Sequence, residues 1–226
     1  MKIFQDLEAI DLALKYKDNL IIADLHLGLE SALNKQGILI PHFQFEEILS
    51  KLKKIISKAN PSTIIINGDL KHEFGQISEQ EWSQVFKLLE FLISKAKVIL
   101  IRGNHDTILQ PIAQKFNIKI VDYLELDDIT IHHGHEIIPI CTSNLIIAHE
   151  HPAISISNNI RTELYKCFLL GKYDKKNLIV MPSFNLVNIG SNVLKEKILS
   201  PYIKNISSFE TFVVSDKIYN FGKIKK

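Results

Sequence analysis

Thr63-Ile64-Ile65-Ile66-Asn67-Gly68-Asp69 has the pattern of a short buried strand that ends at a carboxylate. Its β-branched run is long enough for a strand and too short for a helix, and Gly68 marks the turn that ends it. The side chain delivered to the carboxyl end of this strand is that of Asp69. We therefore predict that Asp69 lies at the centre of the functional site.

Four more apolar runs in the chain end in an acid, an amide or an imidazole. They are residues 20–23 before Asp24 and His26, residues 98–101 before Asn104 and His105, residues 129–131 before His132 and His133, and residues 145–148 before His149 and His151. Ligands of α/β sheets gather beyond the carboxyl ends of the strands. We therefore expect five strands to present metal-type ligands, with Asp69 shared among them.

Helical segments separate the first three of these strands. Residues 43–59 carry apolar side chains at three- and four-residue steps, and a second helix buries Trp82 and its apolar neighbours. Strand, helix and strand in alternation indicate parallel strands joined by crossover helices. Elsewhere the pattern favours β structure, with strands expected at residues 10–14, 161–170, 178–181, 211–215 and 217–221.

Composition limits the class of protein before any motif is used. At 226 residues and 46% hydrophobic, the chain can bury one sizeable core, so we predict a single domain over residues 1–226. The net charge of +2 is too low for the broad cationic face of a dedicated nucleic-acid binder. Cys141 and Cys167 have no metal-type spacing, and no apolar run reaches the roughly 20 residues of a membrane helix. We expect a cytoplasmic protein without membrane contact.

The nine histidines all lie between His26 and His151. Chemistry is therefore expected in the first two thirds of the chain, while the last third completes the fold. For His42, His72, His132 and His135, a hydrogen-bonded or exposed role is favoured over metal ligation. The strand pattern alone leaves open whether His132 or His133 is the ligand.

The ligand inventory contains two aspartates, one asparagine and four histidines. Mixed oxygen and imidazole donors without thiolates suit Mn, Fe or Zn better than Ca or Mg. Seven ligands are too many for one ion, so we predict a two-metal hydrolytic centre in which Asp69 bridges. Asp24, His26 and His151 would complete one site, and Asn104, His133 and His149 would complete the other. For Asp24, Asp69 or Asn104 taken singly, a turn-forming or helix-capping role at a strand end would be favoured, and only the complete set favours metal binding.

The same residues form an ordered set of blocks that resembles a known superfamily. The blocks are Asp24-x-His26, Gly68-Asp69, Gly103-Asn104-His105-Asp106, His133-Gly134 and His149-x-His151. They resemble the calcineurin-like metallophosphoesterases, and within them the small archaeal phosphoesterases related to the SbcD DNA-repair nuclease. The resemblance implies a four-layer α/β/β/α sandwich of two mixed sheets flanked by helices. It favours His133 over His132, and it departs from the usual Gly-His-x-His at Ala148.

The resemblance also implies an activity. It implies hydrolysis of phosphodiesters, with nucleotides or nucleic acids as candidate substrates, by in-line attack of a hydroxide held between two divalent ions. Mn is favoured, with Fe, Zn or Ni as alternatives. His105 would protonate the leaving oxygen, Asp106 would orient His105, and Arg102 would bind a phosphate oxygen or form a surface ion pair. A phosphomonoesterase or protein phosphatase, a non-catalytic scaffold and a homodimeric assembly remain alternatives.

Overall fold

The computed structural model describes residues 1–41, 43–73, 79–157 and 161–224, which form two β-sheets packed face to face. The first sheet contains β1 (Lys2–Phe4), β2 (Leu7–Ile10), β3 (Ala13–Tyr16), β4 (Asn19–Ile22), β5 (Thr63–Asn67), β6 (Lys97–Ile101) and β7 (Lys119–Val121). The second contains β8 (Tyr123–Leu126), β9 (Ile129–His132), β10 (Asn144–Ile147), β11 (Pro152–Ser157), β12 (Thr162–Tyr173), β13 (Lys176–Val180), β14 (Ser191–Asn192), β15 (Glu210–Val214) and β16 (Ile218–Lys223). The helices are α1 (Leu29–Lys35), α2 (Gln44–Ala59), α3 (Glu79–Ile93) and α4 (Gln110–Phe116).

Both sheets are mixed, and each has parallel strands at its centre. In the first sheet β4 to β7 run parallel, while β1 to β4 are joined antiparallel. In the second sheet β10 runs parallel to both β9 and β13. The other strand pairs of this sheet are mainly antiparallel. The five strands predicted to carry ligands are β4, β5, β6, β9 and β10. All five are present as strands, as predicted. Their carboxyl ends lead to the same cluster of aspartate and histidine side chains.

The isoleucine run of β5 is buried on both faces. Ile64 and Ile66 pack with residues of α2 and α3, whereas Ile65 packs in a core that both sheets share. Each buried isoleucine contributes about 1.5–3 kcal/mol to folding through the hydrophobic effect. This two-sided burial explains why β5 has no alternation of polar and apolar residues, and it holds the Asp69 turn between the layers.

The α/β prediction with two mixed sheets is confirmed, and the outer layers differ in kind. Helices α2 and α3 cover the first sheet. The outer face of the second sheet packs against turns that contribute Tyr202, Ile203, Ile206 and Phe209. Within the described ranges no helix follows Phe116. The two aromatic side chains and two isoleucines on these turns cover the outer face of the second sheet, as the apolar side of a helix would do.

The first strand prediction was wrong in one respect. Residues 10–14 were expected to form one strand, but Ile10 ends β2 and Ala13 begins β3. Between them Asp11 adopts a left-handed conformation with φ of 55°, which aspartate tolerates in tight turns. The two strands therefore pair as a hairpin.

The later strand predictions are confirmed. Residues 161–170, 178–181, 211–215 and 217–221 overlap β12, β13, β15 and β16.

Across the part of the chain that the structure describes, no helix is both long and apolar enough to cross a bilayer.

Candidate metal centre

Left-handed backbone marks the turns beyond the carboxyl ends of the central strands. Glycine adopts this conformation readily, whereas other residues pay about 1–2 kcal/mol for it. The predicted ligands with this backbone are Asp24, His26, Asp69, His149 and His151, with φ of 53°, 45°, 49°, 66° and 49°. Such strain persists where surrounding contacts impose it, and it is concentrated at functional sites. Here it turns five polar side chains toward one another.

Backbone hydrogen bonds hold the two acidic turns together. The Asp24 N–H donates to the carbonyl of Gly68, and the His26 N–H donates to the carbonyl of Asp69, at 3.1 and 2.9 Å. The Asp24 and Asp69 side chains are both buried. The turns after β4 and β5 therefore form one rigid unit that carries both carboxylates.

Asp69 lies at the middle of the cluster. Its Oδ1 accepts a hydrogen bond of 3.0 Å from the backbone N–H of His105. Its Oδ2 lies 3.4 Å from His133 Nε2, 3.6 Å from His26 Nε2 and 3.9 Å from His105 Nε2. One carboxylate oxygen is thus fixed by backbone, while the other faces imidazole nitrogens from three different strand ends.

A first group combines Asp69 with Asp24, His26 and His151. His151 Nε2 lies 3.4 Å from Asp24 Oδ1 and 3.3 Å from His26 Nε2. Two imidazole nitrogens bound to one tetrahedral ion at about 2.0–2.1 Å would be roughly 3.4 Å apart. Asp24 Oδ1 is buried and has no hydrogen-bond partner among the described residues, so a cation would satisfy it. This group therefore fits a divalent ion.

A second group combines Asp69 with His133 and His149. The Asn104 side chain joins it, because Asn104 Oδ1 lies 3.1 Å from His133 Nε2. The other ring nitrogen of His133 lies 3.2 Å from the carbonyl of Asn67, a contact typical of metal-binding histidines. The seven predicted ligands are thus gathered in two groups that share Asp69. These groups have the membership that the sequence predicts.

The electrostatics keep two of the four imidazoles neutral and free to bind a cation. Burial lowers the pKa of His26 to about 3 and that of His149 to about 4. Burial alone would raise the pKa of Asp24 and Asp69, but contacts with His151 and His133 outweigh it and lower both. The two carboxylates therefore stay ionised, and these two histidines stay neutral.

The pKa of His133 shifts in the opposite direction to those of His26 and His149. Burial would lower its pKa, but the hydrogen bond and charge of Asp69 and the charge of Asp24 raise it to about 9. Without metal, His133 therefore carries a proton at pH 7. That proton partly compensates the two buried carboxylates, and a metal ion must displace it.

Metal binding should release about one proton per chain at pH 7. Since a raised pKa means that protonation persists up to about pH 9, the apparent affinity should fall about tenfold for each pH unit below that value. Calorimetric titration with Mn in buffers of different ionisation heats measures the released protons. Heats that do not depend on the buffer at pH 7 would contradict the protonated state of His133.

Two glycines are needed because backbone and ligands approach closely. A Cβ on Gly68 would lie 2.1 Å from His133 Nδ1, and one on Gly103 would lie 2.2 Å from Asp69 Oδ1. Gly68 also has a φ of 79°. These positions have no room for a side chain unless a ligand moves.

The variant Gly68→Ala should be much less stable than wild type in denaturant unfolding with a chelator present. The left-handed backbone costs about 1–2 kcal/mol and the overlap with His133 about 1–3 kcal/mol more. Gly37→Ala is the matched control, since Gly37 has a φ of 86° and no neighbour within 4 Å of the added Cβ. Equal losses for the two variants would show that the contact with His133 is not a constraint.

His105 lies beside the cluster with its ring held in one orientation. Its Nδ1 contacts the backbone carbonyl of His72, and its ring stacks on that of His72 at 5.4 Å. Its Nε2 therefore points toward Asp69. His26, His72 and His105 also lie close enough to share an ion, but this group contains no carboxylate to balance the charge of a divalent cation.

The predicted contact between Asp106 and the His105 ring is not what the structure shows. The Asp106 carboxylate accepts hydrogen bonds from the N–H groups of Gly103 and Leu70, at 3.0 and 3.2 Å. Burial and the Asp69 charge raise the pKa of Asp106 to about 6. Asp106 thus joins the turns after β5 and β6, and the His72 carbonyl orients the ring.

Of its two predicted roles, Arg102 adopts the surface ion pair. Its Nε lies 3.1 Å from Asp122 Oδ1, and both side chains are exposed. Exposed ion pairs of this kind contribute little to stability. The structure therefore gives no contact between Arg102 and the metal cluster.

The structure describes three of the four histidines whose role the sequence left uncertain. The ring of His72 stacks on that of His105. His72 therefore lies beside the candidate site, whereas the sequence favours a hydrogen-bonded or exposed role away from metal ligation. His132 Nδ1 accepts a hydrogen bond from the N–H of Gly134, so His132 supports the turn while His133 faces Asp69. His135 stacks on His132. His42 lies outside the described residues.

The last third of the chain does more than complete the fold. The Asn185 N–H donates to the Asp24 carbonyl, and the Ser191 N–H donates to the His151 carbonyl, both at 3.0 Å. Glu150, between His149 and His151, accepts hydrogen bonds from the N–H groups of Leu199 and Ser200. Sequence reasoning missed these supports because backbone donors leave no residue signature.

Ala148 does not disturb its turn. Its φ lies outside the left-handed region, and its N–H donates to the His133 carbonyl at 2.9 Å. Since the backbone here demands no glycine, alanine can replace the glycine of the usual motif.

Comparison with known proteins agrees with the fold. Residues 20–189 match the family described as calcineurin-like phosphoesterase. The structure of Pseudomonas putida nuclease MPE is similar, with a TM-score of 0.70 and 20% identity over 93% of this chain and 92% of that one. Yfce, a phosphoesterase from E. coli, matches at a TM-score of 0.46 and 14% identity, over 91% and 97% of the two chains. None of the curated proteins matches.

Proposed function

This chain belongs to the calcineurin-like phosphoesterase family and is a phosphoester hydrolase, and from that premise we propose that it cleaves phosphodiesters at a two-metal centre. The observation that carries the proposal is the position of Asp69. This single carboxylate is common to both groups of candidate ligands, at the meeting point of three strand ends. A buried carboxylate shared in this way is expected where two ions must lie close together.

The chain would hold the two ions through the seven ligands described above. When bound, two divalent ions supply an activated water and neutralise charge on the phosphoryl oxygens. Mn is the favoured ion, because the donors are carboxylate, amide and imidazole without thiolate. Cys141 and Cys167 lie outside both ligand groups.

The residues beside the ions would handle the leaving group. His105 Nε2 points into the site, so a protonated His105 could give its proton to the departing oxygen. The ring of His72 stacks on His105 at the same edge and could donate a hydrogen bond to a phosphate oxygen. The orientation of the His105 ring is supported by its contact with the His72 carbonyl.

Nucleotides or nucleic acids are the proposed substrates, in a cytoplasmic setting. Pseudomonas putida nuclease MPE, which shares the fold, is by its name a nuclease. The proposed location follows from two unpaired cysteines, one exposed and one buried, which are typical of reducing compartments. A relation to the small SbcD-like phosphoesterases remains part of this proposal.

A side-by-side assay of Mn-reconstituted protein tests the function. The substrates are a nitrophenyl monoester, a bis-nitrophenyl diester, cyclic nucleotides, and single- and double-stranded DNA. We expect the diesters to be hydrolysed faster than the monoester, and we expect a chelator to abolish the activity. Faster cleavage of the monoester would favour a phosphomonoesterase, and no cleavage of any substrate by metal-loaded protein would favour a scaffold.

A further inference from the structure

Lys71 is a lysine without solvent exposure two residues after Asp69. Lysine is almost never fully buried unless its ammonium group is paired, since burial removes the charge from water. An apolar side chain would fill the same volume without that penalty. The presence of lysine here therefore calls for a role of its ammonium group.

The ammonium group binds two backbone carbonyls. Lys71 Nζ donates hydrogen bonds to the carbonyl oxygens of His105 and Glu73. The first of these carbonyls belongs to the residue proposed to protonate the leaving group. Lys71 thus joins the turn after β5 to the turn after β6.

The neighbour of Lys71 holds the same histidine at a second point. The His72 carbonyl contacts His105 Nδ1, while Lys71 holds the His105 carbonyl. Backbone and ring of His105 are therefore fixed by two consecutive residues. A side chain that is held at both its carbonyl and its far ring nitrogen has little freedom to redirect Nε2.

Two buried acids, Asp106 and Glu81, bind the backbone on either side of Lys71 in sequence. Asp106 binds the backbone of Gly103 and Leu70, and Glu81 accepts hydrogen bonds from the N–H groups of His72 and Glu73. Burial raises the pKa of both acids, and the Lys71 charge acts in the opposite direction. The lysine and the two acids therefore all bind backbone groups of the turn at residues 70–73.

We infer that Lys71 is a positioning residue that fixes the direction of His105 Nε2 for protonation of the leaving oxygen. The inference rests on the proposed function, because it assumes that His105 acts as the acid. Lys71 itself touches neither the ions nor the substrate in this role. Its removal should therefore harm reactions that need a proton at the leaving group and spare those that do not.

The test compares two diesters that differ in their need for an acid. One releases phenol, whose pKa is about 10, and the other releases a nitrophenol, which departs readily without a proton. Turnover is measured for wild type, Lys71→Met, His105→Ala and the double variant, all loaded with Mn. Lys15→Met is the matched control, since Lys15, on β3, also donates from Nζ to a backbone carbonyl, that of Ala59 at the end of α2.

We expect Lys71→Met to lower turnover of the phenyl ester about 10- to 100-fold and that of the nitrophenyl ester less than about 3-fold. The double variant should show no larger difference between the losses on the two esters than His105→Ala does, since both changes impair the same protonation step. The ratio of the two rates does not depend on the folded fraction. Lys71→Leu, which like methionine has no donor, serves with the same criterion if Lys71→Met does not fold.

The two ideas fail in different ways. Equal losses on both esters for Lys71→Met, with a selective loss for His105→Ala, would overturn the positioning role and leave His105 as the acid. A His105→Ala variant without selectivity would overturn the acid role itself. A selective loss in Lys15→Met would show that the effect is not specific to the His105 loop, and it would overturn the inference.

Discussion

Replacing Asp69 with asparagine should remove most of the bound metal and most of the activity. Elemental analysis of Asp69→Asn should find well under one ion per chain after desalting, against about two for wild type. Turnover should fall by more than the ~10- to 100-fold lost when only a residue supporting a metal ligand is changed. Asparagine is nearly the same size, so the protein should still fold.

The expected loss follows from the position of Asp69 in both ligand groups. The amide nitrogen of asparagine cannot bind a cation, and the neutral side chain removes a negative charge that two ions would share. Asp69 is also the main reason for the raised pKa of His133. The variant should therefore release fewer protons on titration with Mn than wild type does.

Asp127→Asn is a suitable control for this change. Asp127 is exposed and pairs with Lys17 on the surface, away from the cluster. The same substitution there should leave metal content and turnover unchanged. An Asp69→Asn variant with the full metal content of wild type would contradict the shared-ligand role.

His105→Ala should keep both ions and lose about 10²- to 10⁴-fold in turnover, the range typical of a missing general acid. His105 Nδ1 is occupied by the His72 carbonyl, and its backbone N–H already binds Asp69 Oδ1. Alanine retains that N–H, so the Asp69 carboxylate should remain in place. Only the protonating group at Nε2 is removed.

Two measurements on this variant separate the alternatives. Elemental analysis tells whether His105 is a ligand, because loss of an ion would place it in the coordination shell with His26 and His72. Turnover tells whether it is an acid. Unchanged turnover with full metal content would remove His105 from the mechanism.

Much of the site could be predicted from residue types at strand ends. Asp69 follows an isoleucine run buried on both faces, and this pattern leaves little choice but a central strand. Parallel strands bring their carboxyl ends to one edge, so Asp24 and His149 could be expected nearby. Local chemistry and topology point to the same place here.

The rest depends on directions that a sequence does not carry. Asp106 was expected to face the His105 ring, yet its carboxylate binds backbone N–H groups, an option open to almost any aspartate in a turn. The supports from Asn185 and Ser191 use only backbone donors. Asp11 shows the same limit, since its apolar neighbours suit one strand or two.

The most direct measurement is the number and position of metal ions in crystals of the Mn-loaded protein, determined from anomalous scattering. We predict two peaks roughly 3.5–4 Å apart, both with an oxygen of Asp69 as a ligand. A single peak at saturating Mn, or two peaks of which only one contacts Asp69, would contradict the two-metal centre.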